Sequence, residues 1–99
     1  MSQKNALEGI SFSSENPVKD MLSNTENYKV MRICLKKGLI RPLHTGDHTA
    51  FFLVLKGRGI FTLGSKEVEL ETNGFVKINK GEVRGIQSLE DLVILAVRE

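Results

Sequence analysis

The feature that most constrains the fold is a period-two alternation of apolar and polar residues that begins at Tyr28. Met31, Ile33 and Leu35 fall on one face of a predicted strand, and in the segment KEVELE glutamates alternate with apolar residues. Such alternation is typical of β-strands, whose side chains point to opposite faces in turn. About seven short strands of this kind predict an all-β fold, either a jelly roll of two antiparallel sheets or a small barrel.

Turns that contain glycine separate the predicted strands at short intervals. Gly64-Ser65 and Asn73-Gly74 each carry a hairpin signature, because glycine adopts a positive φ at little cost. The strands FFLVL and LVILAV are apolar on both faces, which is typical of strands that are covered on both sides.

The first third of the chain is more polar than the remainder. The 99 residues fit a single domain, which we divide into an N-terminal arm, residues 1–27, and a β-barrel domain, residues 28–99. Within the arm, Asn16 followed by Pro17 is typical of a helix N-cap with proline at the first helical position. Three apolar residues then follow at the spacing of one helix face, namely Val18, Met21 and Leu22. This pattern predicts a short helix in the arm.

Composition excludes several classes of protein. Cys34 is the only cysteine, so a disulfide framework is excluded. The longest strictly apolar runs, residues 50–55 and 92–97, are far shorter than the ~20 residues that span a membrane. The first 27 residues hold no secretory apolar core. We therefore expect a cytoplasmic protein without a membrane partner.

The net charge of +2 is distributed unevenly, because residues 28–41 contain five basic side chains and no acidic one. Such a run is typical of the solvated face of a strand, and the alternative is a surface for nucleic acid or an acidic protein. Five Phe, one Tyr and no Trp provide few rings for stacking on bases. We therefore expect no nucleic-acid partner.

The most informative stretch is GLIRPLHTGDHTAFFLVLKGRG, which resembles the first motif of the cupin superfamily, G-x5-H-x-H-x3-E-x6-G. Gly38, His44 and Gly57 match the first glycine, the first histidine and the closing glycine. In the family, the two histidines and the glutamate bind a metal ion. Here Gly46 stands at the position of the second histidine and Ala50 at that of the glutamate.

The segment GFVKINKGEVRGIQS resembles the second cupin motif, G-x5-P-x-G-x2-H-x3-N. Gly81 fits its inner glycine, while Asn79 stands at the proline position, with one residue fewer after Gly74 than the pattern has. Arg84 stands at the position of the last histidine ligand, and Ser88 replaces the final asparagine. The resemblance covers residues 28–97 and implies a cupin-like double-stranded β-helix, a jelly-roll barrel.

These replacements oppose a bound cation. A divalent transition metal needs three or four nitrogen or oxygen donors at ~2.0–2.2 Å. Glycine and alanine offer none, and a guanidinium has no lone pair and stays charged. We therefore predict no metal cofactor, and we predict that Arg84 and His44 hold a carboxylate or phosphate in the barrel mouth. The alternative is that Arg84 points to solvent and His44 is an ordinary turn residue.

Three further residues complete the candidate ligand site. Phe52 and Val54 share strand parity with Ala50, so they form either an apolar wall of the pocket or plain core. Ser88 is included because of its place in the second motif.

A metal site remains the alternative. His44, Asp47 and His48 lie on a predicted loop that leads into a strand. If this loop folded back on itself, the three side chains would form a 2-His-1-carboxylate site for iron or manganese.

The sequence thus favours a metal-free module that binds or senses a small anionic molecule. The alternative is a cupin metalloenzyme of the dioxygenase or isomerase type. No nucleophile with an adjacent base and no paired catalytic carboxylates are evident, so no catalytic residue is assigned and enzymatic activity is left open. The resemblance also implies a homodimer, for which the strands FFLVL and LVILAV supply apolar surface.

Overall fold

The computed structural model describes residues 4–99, which form nine β-strands in two antiparallel sheets. The order β1-β2-β9-β4-β7 makes a five-stranded sheet, and β3-β8-β5-β6 makes a four-stranded sheet. The strands are β1 (Val18–Asn24), β2 (Lys29–Leu35), β3 (Ile40–Thr45), β4 (Ala50–Lys56), β5 (Arg58–Leu63), β6 (Lys66–Glu71), β7 (Phe75–Ile78), β8 (Val83–Ser88) and β9 (Leu92–Arg98). The predicted all-β jelly roll is confirmed. Residues 4–99 include no helix with the length and hydrophobicity that a bilayer crossing requires.

The core lies between the two sheets and follows from the period-two pattern. Ile33, Ile94 and Val54 are paired across β2, β9 and β4, and all three are fully buried. Phe61 and Ile86 are paired across β5 and β8 and face them from the other sheet. Each such side chain contributes about 1.5–3 kcal/mol when it leaves water, so alternate residues of every central strand fix the two sheets together.

The predicted helix after Pro17 is wrong, because this segment forms β1. The strand pairs antiparallel with β2, with Val18 opposite Cys34 and Asp20 opposite Arg32. A helix of two turns is marginal by itself, whereas β1 gains a complete hydrogen-bonded partner. That partner is distant in sequence, and the local helix signals do not report it.

The part of the arm that the structure describes, from residue 4 onward, lies over the outer face of β2. Arg32 is buried there, and its guanidinium donates hydrogen bonds to Asp20 Oδ2 at 2.9 and 3.3 Å. It also donates to the carbonyl oxygens of Ala6 at 3.1 Å and Glu8 at 2.6 Å. The interpretation of this basic run as a solvated face is therefore wrong at Arg32.

The two predicted hairpin turns differ in outcome. Gly64, with φ of 63°, joins β5 to β6 as a hairpin, and Leu63 pairs with Lys66. Asn73 also has a positive φ, 75°, but the strands on either side of it belong to different sheets. That second turn is a crossover between sheets rather than a hairpin.

Candidate anion-binding cavity

A cavity of about 300 Å³ opens between the sheets at one end of the barrel. Its floor comes from one row of the five-stranded sheet, in which Met31, Ala96 and Phe52 are neighbours across β2, β9 and β4. Ala50 also borders the cavity. Because Ala50 and Ala96 are small, apolar space remains above the core.

Basic side chains from both sheets surround this floor. Lys19 and Arg98 come from β1 and β9 of the five-stranded sheet, and Arg41 and Arg84 come from β3 and β8 of the four-stranded sheet. Among the described residues that border the cavity, none carries a carboxylate. The site therefore has an excess of positive charge that its own lining does not neutralise.

A β-bulge brings Arg41 and His44 to the same cavity. Strict alternation would place residues three apart on opposite faces of β3. The register with β8 shifts between them, so that Arg41 lies opposite Ile86 while His44 lies opposite Arg84. Pro42 lies within the bulge and has no backbone N–H to donate to the ladder, which favours the irregularity.

Arg84 is held by neutral acceptors. Its Nη2 donates hydrogen bonds to the carbonyl oxygens of His48 and Asn79, both at 3.1 Å, and its Nε donates to that of Glu82 at 3.4 Å. The guanidinium packs on Gly46, where a Cβ would lie 2.8 Å from Cζ. Although Arg84 is only 6% exposed, no ion pair within residues 4–99 involves it.

One terminal nitrogen of Arg84 remains open to a ligand. Nη1 donates to no acceptor in the described part of the chain. No buried side-chain nitrogen or oxygen there lacks a hydrogen-bond partner. Nη1 therefore reaches solvent. The guanidinium is held in place by its other nitrogens, and Nη1 can still donate hydrogen bonds to a ligand.

Like charges act on one another within the cavity. Burial and the neighbouring Arg84 both lower the pKa of Arg41. Arg41 in turn is the main cause that lowers the pKa of Lys19, and partial burial adds to it. Arg41 therefore lies close to two other cations, Lys19 and Arg84.

Comparison with known proteins agrees with this architecture. The family model for the cupin domain matches residues 31–98. The chain belongs to the cupin family. No protein of curated function matches it in sequence.

Solved structures share the fold of this cupin. The protein TT1209 from Thermus thermophilus superposes with a TM-score of 0.91 and 18% identity, over 99% of this chain and 96% of that one. An RmlC-like cupin from Desulfovibrio desulfuricans gives 0.88 and 22%, over 99% and 95%. A conserved protein of unknown function from Streptococcus pyogenes gives 0.87 and 13%, over 98% and 85%. At these identities the likeness concerns the fold alone.

The candidate metal residues of this cupin do not gather into one site. His44 and His48 are exposed at the cavity, and His44 Nδ1 donates a hydrogen bond to the carbonyl of Pro42 at 3.2 Å. Asp47 is exposed and does not border the cavity. Within residues 4–99, no three His, Cys, Asp or Glu side chains lie close enough to share a metal ion. The residues present therefore do not fit the family's divalent cation.

The structure also separates the candidate ligand residues. Phe52 borders the cavity together with His44 and Arg84. Val54 is fully buried one row deeper, beside Ile94 in the same sheet, and belongs to the core. The buried hydroxyl of Ser88 donates to the carbonyl of Leu35 at 3.2 Å, near the far end of the barrel. Neither Val54 nor Ser88 borders the cavity.

Sequence reasoning missed three of the four cations. Arg98 shares strand parity with Ala96, so the alternation within LVILAVR was a signal that could have found it. Lys19 carried no such signal, because it faces the cavity only through the pairing of β1 with β2. Arg41 depends on the bulge described above.

Proposed function

We propose that this cupin binds a small anionic molecule in the cavity without a metal ion. One observation carries the proposal. Four basic side chains, one lysine and three arginines, border one cavity from two sheets, and none of the described residues that line it is acidic. A volume near 300 Å³ is at the lower end of the range for ligand pockets, so the ligand is small.

The charges of the cavity are unfavourable until an anion arrives. Arg41 is partly desolvated and faces Arg84, and both effects disfavour its charged form. The guanidinium of Arg84 is held next to Arg41 by hydrogen bonds to three carbonyls and by its contact with Gly46. An anion would offset this repulsion and accept hydrogen bonds from a guanidinium that is already oriented, which reduces the ordering cost of binding.

The replaced family positions support the same conclusion. Where the family places metal ligands, this cupin has Gly46, Ala50 and Arg84, of which only Arg84 is polar, and it is a cation. A cation in the cavity would face four like charges, and it would find His44 as the one remaining donor of the family set.

Titration calorimetry with inorganic phosphate and a panel of carboxylates tests the proposal. We expect saturable binding that weakens with added salt and that raises Tm through mass action. Arg41→Gln should lower the affinity about tenfold, as expected for a lost hydrogen bond to a charged group. The Tm of this variant should be unchanged or higher, because burial and the neighbouring Arg84 both disfavour the positive charge that Arg41 carries.

Arg58→Gln is the matched control. Arg58 lies at the other end of the barrel, where it pairs with Glu69 and Glu90 at 3.3 and 3.2 Å, and its loss should leave binding unchanged. An Arg41→Gln variant that binds every anion as tightly as the parent would overturn the proposal. Elemental analysis of untagged protein tests the metalloenzyme alternative, which requires a stoichiometric transition metal and its loss in His44→Ala.

A further inference from the structure

We infer that the ligand is a short dicarboxylate, a compact molecule with two separated negative charges joined by an apolar body. The inference rests on the proposed function and specifies its ligand. It follows from how the cations are distributed around the floor, rather than from their number alone.

The cations form two groups. Arg41 and Arg84 lie on β3 and β8 and make one group, which belongs to the four-stranded sheet. Lys19 and Arg98 lie on β1 and β9 and make the second group, which belongs to the five-stranded sheet. The two groups approach each other at Arg41, whose charge lowers the pKa of Lys19. A ligand that directs one carboxylate to each sheet would pair with both groups.

The floor determines what joins the two charges. Met31, Phe52 and Ala96 lie side by side beneath the basic rim and offer only apolar surface. A methylene chain can pack on this surface, because burial of apolar groups is favourable, while its carboxylates reach the two cationic groups. Inorganic phosphate has no body to cover the floor.

Calorimetric titration with succinate and butyrate tests the inference, because the two acids have the same chain length and differ in one carboxylate. We expect succinate to bind at least about tenfold more tightly than butyrate, as one further charge-assisted hydrogen bond implies. Methyl phosphate serves as a third probe, since it carries two charges on one group.

Lys19→Met identifies the second group. Methionine keeps most of the side-chain length and removes the charge, and Lys19 is exposed, so the fold should tolerate the change. Succinate affinity should fall toward that of butyrate, and butyrate affinity should stay the same. Lys66→Met is the control, because Lys66 is exposed on β6 and does not border the cavity.

The outcomes separate this inference from the proposed function. Equal affinities for succinate and butyrate would overturn the inference and leave the proposed function in place. Tight binding of methyl phosphate without binding of succinate would also overturn it, in favour of a single phosphoryl group. Failure of all three probes and of the wider panel of anions would overturn the proposed function itself.

Discussion

Replacing Gly46 with alanine should displace the guanidinium of Arg84 and weaken anion binding. The backbone at Gly46 has no positive φ, so alanine is compatible with its conformation. The new Cβ would lie 2.8 Å from Cζ and 2.9 Å from Nη1 of Arg84, whereas ordinary contacts begin at 3.4 Å. The guanidinium must therefore move by about 0.6 Å, the difference between 3.4 and 2.8 Å.

This displacement is large compared with the tolerance of the hydrogen bonds. The bonds from Nη2 to the carbonyls of His48 and Asn79 are 3.1 Å long, and a shift of that size away from the acceptors would break them. Hydrogen bonds from a charged donor contribute about 1.5–3 kcal/mol each, and water replaces part of that. We expect Gly46→Ala to lower the free energy of unfolding by about 1–2 kcal/mol and Tm by roughly 5–10 °C. Anion affinity should fall about tenfold.

Thermal denaturation and calorimetric titration measure the two effects, with Gly74→Ala as the matched control. A Cβ at Gly74 would also be crowded, since it would lie 3.0 Å from the carbonyl oxygen of Glu71, but Gly74 does not border the cavity. The control should therefore bind anions normally, whatever its Tm. If Gly46→Ala kept both its Tm and its affinity, the seating of Arg84 on Gly46 would be refuted. If only Tm fell, Arg84 would be structural and not part of the binding site.

Three further substitutions test the fold and its assembly. Gly57→Ala should cost about 2–4 kcal/mol in urea denaturation, because φ is +89° and the Cβ would overlap the carbonyl of Asp91; a loss below about 1 kcal/mol would contradict this. Asp20→Asn should cost about 1–2 kcal/mol in the same assay, since it leaves the buried charge of Arg32 unpaired, and an unchanged stability would count against the arm contact. Phe75 stacks on Phe51 and is 60% exposed, which leaves an apolar patch for a second copy of the chain. We expect light scattering to give a dimer for the parent and a monomer for Phe75→Glu. A monomeric parent would disprove the dimer.

Strand parity explains most of what the sequence predicted correctly. The alternation in β2 and β6 assigned inner and outer faces, and the glycine turn at Gly64 set the hairpin between β5 and β6. The cupin resemblance selected His44 and Arg84, which are neighbours across β3 and β8. Parity does not report the depth of a side chain within the barrel. It therefore could not distinguish Phe52, which borders the cavity, from Val54, which lies in the core.

The N-terminal arm shows where local signals fail. Its capping pattern describes the energy of an isolated turn of helix, and the pairing with β2 outweighs that energy. As a result, Lys19 faces the cavity while the adjacent Asp20 faces outward to Arg32. One short strand thereby contributes to the site on one face and anchors the arm on the other.

The amino-acid sequence by itself determined the all-β class, the positions of the tight turns and the loss of the family's metal ligands, because these depend on residue type and on a period of two along a single strand. Only the tertiary structure decided that Lys19, Arg41, Arg84 and Arg98 meet around one apolar floor. That meeting depends on the register between strands distant in the chain and on a bulge in β3, and both are set by packing across the barrel.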